Sequence, residues 1–524
     1  MKFGGGLHTR ASSDEIDARE CADGENFQLD KEDREYTNRR PFVLLGTVPN
    51  ASEIRGFAQL LKTDGSTSML VQAGTAVYEW SGTAFSSSKG TVSSTAQLRG
   101  RLEHNWQLDD KVLITDLNLQ EALLEWDGTT LSTSSLSGVT NFRAKYCFVS
   151  NERAFFANLN ESSTALPHVV AASAQGDYTT LSTGQIPSSA RSIADEFQLL
   201  VPDLRAINGM VEAFGLVIVS TTQGSLFKIT GNSAKTDETG FVGYAIDELY
   251  PRSAASGAES LAFVGNDIFY GRPGRLESVA STDKFGNVET DDLSSQIQDQ
   301  IADIVEWTTV YNSRLDRVYF YPSGEGKIWV LQKSLLPLQL NQAQLPLSPW
   351  SKWTTAHASN FQPTAVMPML DPVTNEEFIY FGDSSGNFYQ LEGGSDGDPG
   401  STDISTSRTS RVFTVPLDTQ AFDVEGWIKY RKDEAATVTV TLLWQGQSIY
   451  EEAKTIPLPA SPGGYYGGPV YYGDTTPYGS EKQKLSRKRF TIPGKSNEFQ
   501  IQVGFNTDKN IRVNEVGLRF KAAS

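Results

Sequence analysis

Metal and nucleophile chemistry need His, Cys and carboxylates at short, fixed spacings, and this chain does not offer them. Its four histidines, His8, His104, His168 and His357, stand far apart, with no pair at i, i+4 and no Cys or carboxylate at metal-ligand spacing. No Walker sequence, dinucleotide glycine fingerprint or Gly-x-Ser-x-Gly elbow stands in a strand-to-helix context, and the glycines at 4–6 have no strand before them. Asp396, Gly397 and Asp398 resemble the start of a calcium loop, but the spaced ligands and closing Glu are missing, so a solvated turn is the reading. Glycoside cleavage needs two carboxylates, or a Tyr with arginines, converging on one sugar. With 63 acids some pair is inevitable, so carboxylates discriminate nothing, and repeated Asp-box turns are absent. No catalytic residue, cofactor site or metal site is expected, and the chain is not read as an enzyme.

What is left is architecture and contact. A chain of 524 residues suggests three or four domains, unless one large all-β unit absorbs most of the length. Aromatics at 10% must be buried somewhere, which argues against disorder, and 45 Gly with 22 Pro give a turn-rich, β-biased composition. No apolar run approaches the length of a membrane span, and the start MKFGGGLHTRASSDE lacks the apolar core of a secretory signal. Membrane spans and export are therefore not expected. Cys21 and Cys147 are too few for a disulfide framework and read as buried thiols of a protein made in a reducing cytoplasm.

Helical periodicity is scarce. The best case is Leu293, Ile297, Ile301, Ile304 and Val305, an expected amphipathic helix of about three turns. Elsewhere one unit recurs, an apolar strand, a polar or Gly turn, and a strand with aromatics, at 68–80, 111–126, 216–230, 316–331 and 377–391. The second strands centre on Trp80, Trp126, Phe227, Trp329 and Tyr389. The gaps from Trp126 to Phe227 and from Phe227 to Trp329 are about twice the first one, so each hides a weaker copy, expected near 175–181 and within 266–279. About seven copies, with six or eight open, suit the four-stranded blades of a β-propeller over 49–392. A pair of sandwiches has no reason to repeat at such a period. The Trp and Tyr residues then read as blade packing, not as stacking platforms.

Residues 393–403 read as a linker, rich in Gly, Asp and Pro. Beyond them, 404–524 alternates with period two in six strands, a second all-β domain and most simply a β-sandwich. It carries an insertion at 457–484 with Tyr465, Tyr466, Tyr471, Tyr472 and Tyr478 among glycines and prolines. A loop this long is functional or disordered, and dense Tyr favours contact. The net charge of −18 opposes nucleic-acid binding, which needs a positive stripe. The charge is uneven, since residues 481–524 hold ten Lys or Arg against four acids, +6 there and −24 over 1–480. Arg487, Lys488 and Arg489 lie in that tail, which reads either as solvated strand faces or as a docking surface for an acidic partner.

Several stretches also carry a family resemblance: FGGGLHTR (3–10), CADGENFQLD (21–30), REYTNRRPFVLLGTV (34–48), VYEWSG (77–82), FANLNESSTALPHVVAASAQGDYTTL (156–181) and LSSQIQDQI (293–301). Together they resemble the propeller-containing tail nozzle proteins, or tail tubular proteins, of short-tailed bacteriophages. The resemblance covers about two thirds of the chain, and the expected sandwich matches only in architecture. It implies a virion structural protein made in the host bacterial cytoplasm. Such a protein forms a ring, usually a hexamer, below the portal and adaptor proteins. The genome is ejected through the ring, and tail fibres or spikes attach around it. An acidic ring suits that role, because it repels phosphates and lets double-stranded DNA pass without specific binding. The chain departs from the family in lacking a large insertion for a long nozzle tip, which leaves a tail hub or head-closure role open. From other classes, the rivals are a glycan-binding or glycan-cleaving propeller acting on the host surface and a cellular propeller scaffold.

Overall fold

The computed structural model describes residues 6–10, 16–17, 20–29, 36–100, 110–134, 136, 139, 141–150, 153–161, 164–174, 176–181, 201–213, 215–222, 225–236, 242–250, 255–257, 259–265, 267–280, 289–336, 348–354, 363–393, 404–414, 422–432, 436–444, 450–458, 486–494, 498–507 and 511–522. The chain is all-β. It opens with four short strands, β1 (Cys21–Glu25), β2 (Phe27–Leu29), β3 (Tyr36–Asn38) and β4 (Val43–Thr47).

Six antiparallel meanders follow. The first holds β5 (Ile54–Leu61), β6 (Thr67–Ala73), β7 (Ala76–Trp80) and β8 (Gly90–Thr91), and the second β9 (Leu98–Gly100), β10 (Val112–Asp116), β11 (Leu124–Trp126) and β12 (Leu131–Thr133). The third holds β13 (Arg143–Ser150), β14 (Arg153–Glu161), β15 (Thr164–Ala174) and β16 (Asp177–Leu181), and the fourth β17 (Ile207–Ala213), β18 (Leu216–Thr221), β19 (Leu226–Thr236) and β20 (Val242–Tyr250). The fifth holds β21 (Leu261–Phe263), β22 (Asp267–Arg272), β23 (Arg275–Ala280) and β24 (Glu289–Asp292), and the sixth β25 (Trp307–Asn312), β26 (Arg317–Pro322), β27 (Lys327–Gln332) and β28 (Trp350–Thr354). The last sheet has three strands of its own, β29 (Ala365–Leu370), β30 (Glu377–Gly382) and β31 (Asn387–Gln390). It takes β4 as its fourth, with Asn387 opposite Thr47 and Tyr389 opposite Leu44.

The first two meanders are joined into one eight-stranded sheet by the parallel pairing of β5 with β9, Phe57 opposite Arg99, and neighbouring meanders share apolar faces around the chain. Ala58, Leu60 and Leu70 of the first meet Ile114 and Trp126 of the second. The chain closes the circle where Met367, Tyr380 and Phe388 of the last sheet meet Phe57, Val71 and Trp80 of the first. Clusters of the same kind join every intervening pair. This ring of radial sheets is a β-propeller. Packing on both faces explains the sequence: inner strands such as β10, buried at all five positions, read as continuous apolar runs, not as alternating ones. The expected copy within 266–279 is the β22–β23 hairpin. The one expected at 175–181 falls on β16, one strand after the hairpin partner β15.

Among the described residues beyond the propeller lie eight further strands, β32 (Ile404–Ser410), β33 (Phe413–Thr414), β34 (Phe422–Lys432), β35 (Ala436–Trp444), β36 (Tyr450–Leu458), β37 (Ser486–Gly494), β38 (Glu498–Thr507) and β39 (Ile511–Ala522). They form two sheets in the orders β1-β32-β38-β35-β36, with β33 beside β38, and β2-β3-β39-β34-β37. Phe27, Ile428, Val513 and Val516 of one sheet share a buried cluster with Val438, Val440, Leu442, Val503 and Phe505 of the other. The stretch ahead of the expected propeller, 1–48, expected to hold an N-terminal arm and the first strands, is divided: β1 to β3 complete the C-terminal sheets and β4 completes the propeller. Of the linker read at 393–403, only Gly393 lies among the described residues. The helix expected at 293–305 is a correction: α1 (Gln298–Ile301) is a single turn, Leu293, Ile297, Ile301 and Ile304 are buried, and Val305 is 63% exposed. Its apolar spacing records which side chains face inward, and consecutive turns meet that condition as well as a helix does.

Candidate functional site

The first strands of the sheets line the propeller axis, and one ion pair crosses it. Arg99 on β9 donates from Nε and Nη2 to the two carboxylate oxygens of Glu259, just before β21, with Nη2–Oε2 at 2.9 Å. Arg99 Nη1 donates to the carbonyls of Arg55 and Leu98, both at 2.8 Å. The second and fifth sheets lie on opposite sides of the ring, so the pair spans it. A planar guanidinium held by four bonds is a fixed strut. Burial, and then the charge of Glu259, push the neighbouring Tyr146 phenol well above its ordinary range.

Beside this strut lies a cavity of about 430 Å³, walled by first strands from the third sheet to the last. Its polar wall includes Glu212, Glu259, Glu377 and Tyr311, and its apolar wall includes Phe148 and Phe263. Glu212 accepts from Ser150 Oγ at 3.2 Å, and Glu377 accepts from the Ser313 amide and hydroxyl at 3.0 and 3.1 Å. The Tyr311 hydroxyl donates to Asp316, and burial pushes it up to about 12, helped by that carboxylate. Sequence reasoning passed over these acids because they are scattered over more than 160 positions, and only ring closure brings them to one axis.

A second constellation joins the propeller to the C-terminal sheets. Asn26, at φ +57°, sits in a left-handed turn that Asn tolerates and most residues do not. Its Nδ2 donates to the Ser405 carbonyl at 2.9 Å and to Thr354 Oγ1 at 3.1 Å, while Oδ1 accepts from the Thr354 amide at 2.7 Å and from Arg39 Nε at 2.9 Å. Arg39, buried to 1% exposure, donates onward to the Thr354 carbonyl and lies 4.4 Å from the Phe42 ring centroid. Trp353 Nε1 donates to the Phe27 carbonyl at 2.8 Å. Near the start of the chain, Glu20 accepts from the Ser348 amide at 2.6 Å and pairs with His8 Nδ1 at 2.8 Å.

The expected contact residues fall differently. Tyr465, Tyr466, Tyr471, Tyr472 and Tyr478 lie outside the described residues. Arg487, Lys488 and Arg489 stand on β37, the terminal strand of its sheet, opposite Lys429, Ile428 and Trp427 of β34, and Arg489 is exposed. The strands flanking the Tyr-rich segment, β36 and β37, end their two sheets side by side. Among the described residues no three His, Cys, Asp or Glu are grouped to hold a metal, and no helix is long and apolar enough to cross a membrane. Cys21 and Cys147 are buried and unbridged.

No protein-family model matches the chain, and no curated protein matches its sequence. Among solved structures it is similar to the WD40 domain of Toxoplasma gondii coronin, at 11% identity, TM-score 0.39, over 70% of this chain and 87% of that one. It is also similar to the Cps50 (Swd1) β-propeller domain of Myceliophteria thermophila, at 10% identity, TM-score 0.35, over 67% and 100%. An exo-β-1,3-galactanase of Phanerochaete chrysosporium matches at 10% identity, TM-score 0.25, over 87% and 94%. Likeness at this level says nothing of function, and the propeller stands on strand order and ring closure.

Proposed function

We propose that this chain is a bacteriophage virion structural protein, the nozzle or tail-tube subunit of a short tail, built as a seven-bladed propeller with a C-terminal β-sandwich. It forms a ring, most simply a hexamer, below the portal and adaptor, and fibres or spikes attach to it. The observation that carries this reading is where the N-terminal resemblance stretches lie. Their described residues, 6–10, 21–29 and 36–48, contain the strands and bonds that weld the propeller to the C-terminal sheets, including Gly6 N to Ser348 O at 2.6 Å and Leu7 N to Trp350 O at 2.8 Å. A welded two-unit body suits the wall of a conduit under load. The Arg99–Glu259 pair crosses the propeller axis, so in this reading double-stranded DNA passes through a lumen enclosed by several subunits and not along a propeller axis.

Sedimentation of the purified chain across concentration tests this reading. A closed assembly of fixed subunit number supports it, and a monomer at every concentration and in tails counts against it. The glycan reading is favoured by one observation, three glutamates on the wall of one cavity. Release of sugar from host envelope glycans, abolished by Glu212→Gln or Glu377→Gln, would establish it instead.

A further inference from the structure

We infer that copies of this chain join through two patches of opposite charge, each built on an apolar centre, a contact that rests on the ring reading above. The first patch is the outward face of β34, β37 and β39. Ile428, Val513 and Val516 of this sheet are buried, so Trp427, the neighbour of Ile428, stands on the opposite face, where it is half-buried. Arg489 of β37 lies opposite Trp427, and Arg519 of β39 lies opposite Glu425, two residues away on the same face. Both arginines are exposed, and neither has an ion-pair or hydrogen-bond partner among the described residues. On its β39 side Trp427 faces Gly517, which has no side chain to cover the indole.

The second patch lies on the propeller, in the turns after α1. Ile301 and Ile304 anchor these turns in the core, while Val305 is 63% exposed and Asp303 and Glu306 on either side of it are exposed too. Neither carboxylate has a partner among the described residues. The backbone here is held by the Gly274 amide donating to the Ile304 carbonyl at 2.7 Å and the Ser323 amide to the Glu306 carbonyl at 3.0 Å. An aliphatic side chain between two carboxylates is the complement of an indole between two guanidiniums, and Trp and Arg are the side chains that dominate interfaces. Since these four charges are without partners among the described residues, the two patches do not meet within one chain. They meet between copies, and a contact made by two different patches is head-to-tail, the kind that closes into a ring. The −24 charge of residues 1–480 steers the basic face towards its neighbour.

Sedimentation velocity of the full chain tests this with two charge-reversed variants, Arg489→Glu/Arg519→Glu and Asp303→Arg/Glu306→Arg. All four positions are exposed, and unchanged thermal unfolding checks that each variant folds. Either variant alone sets like charges against each other, and its self-association is expected to weaken about tenfold or more, with the smallest effect at high salt. In an equimolar mixture each altered patch meets an opposite charge on the other variant, so assembly should return. Val305→Ser, which changes no charge, should weaken assembly several-fold at any salt. Wild-type assembly that neither reversed variant weakens overturns the inference and leaves the ring reading standing. If tails built from Arg489→Glu/Arg519→Glu then lack fibres, the basic face belongs to a fibre instead. A mixture that does not reassemble also overturns it, because the patches then do not face each other. A wild-type chain that stays monomeric at every concentration overturns both readings, whereas open oligomers that follow the charge pairing uphold this contact and overturn the closed ring.

Discussion

Replacing Asn26 with Ala should uncouple the two halves of the molecule. The side chain makes four hydrogen bonds, two to Thr354, one to the Ser405 carbonyl and one from Arg39. Asn26 itself is 5% exposed and Arg39 is 1% exposed. Truncation strands the Thr354 amide, the Ser405 carbonyl and the guanidinium Nε, at about 1 kcal/mol or more each. Holding Ala at φ +57° adds about 1 kcal/mol. The expected loss is about 4 kcal/mol. Asn26→Gly loses the same bonds without the backbone strain and should be about 1 kcal/mol less harmful. Urea unfolding followed by Trp fluorescence is the assay, since Trp350 and Trp353 lie on the strand beside this turn. A loss under about 1 kcal/mol for Ala, or a Gly variant less stable than Ala, would refute the account of this joint.

Alkaline pH should unfold the protein through its buried tyrosines, because burial raises Tyr319, Tyr321 and Tyr380 well above the ordinary range, with Glu392 or Asp371 adding to it. A folded pKa above the unfolded one gives stability that is complete below pH about 10 and lost as pH rises past it, so absorbance at 295 nm should show a late phase coincident with unfolding. Reversible titration of every Tyr near pH 10 would contradict this. Both thiols should resist Ellman's reagent at pH 8 in the folded protein and react at once in urea, since burial, partly offset by Arg408, raises Cys21 to about 11, and burial raises Cys147 too. Fast reaction of the folded protein would show that they are not buried. The insertion read at 457–484 loses its first two residues to β36, where Pro457 and Leu458 pair with Thr437 and Ala436, so replacing 459–484 with a short Gly/Ser linker should leave thermal unfolding unchanged and should abolish assembly or fibre attachment. Charge reversal of Arg487, Lys488 and Arg489 should weaken the same contact most at low salt, and normal infectivity of either variant would discard the contact role.

The repeat was legible because one position recurs. Trp80, Trp126, Phe227, Trp329 and Tyr389 all fall in third strands, β7, β11, β19, β27 and β31, where a large ring fills the space between neighbouring sheets. The third strands β15 and β23 lack such a ring: Ala171 and Ala172 lie in one, Leu276 and Val279 in the other, so those copies had to be placed by spacing alone. The pairings of β1 with β32 and of β3 with β39 were illegible for another reason. They join the two ends of the chain, and three-residue strands such as FQL and YTN carry no periodicity. The axial site shows the same limit, since Arg99 and Glu259 are ordinary charged residues until the ring sets them face to face.

The central claim is that several copies of this chain enclose one lumen, and an electron cryo-microscopy map of the assembled tail tests it most directly. The account predicts a closed cyclic ring, sixfold in the simplest case, with each propeller in the wall, its axis plugged by Arg99 and Glu259, and DNA density only in the shared lumen. Isolated single copies of the chain in the tail, or DNA density running along a propeller axis, would contradict it.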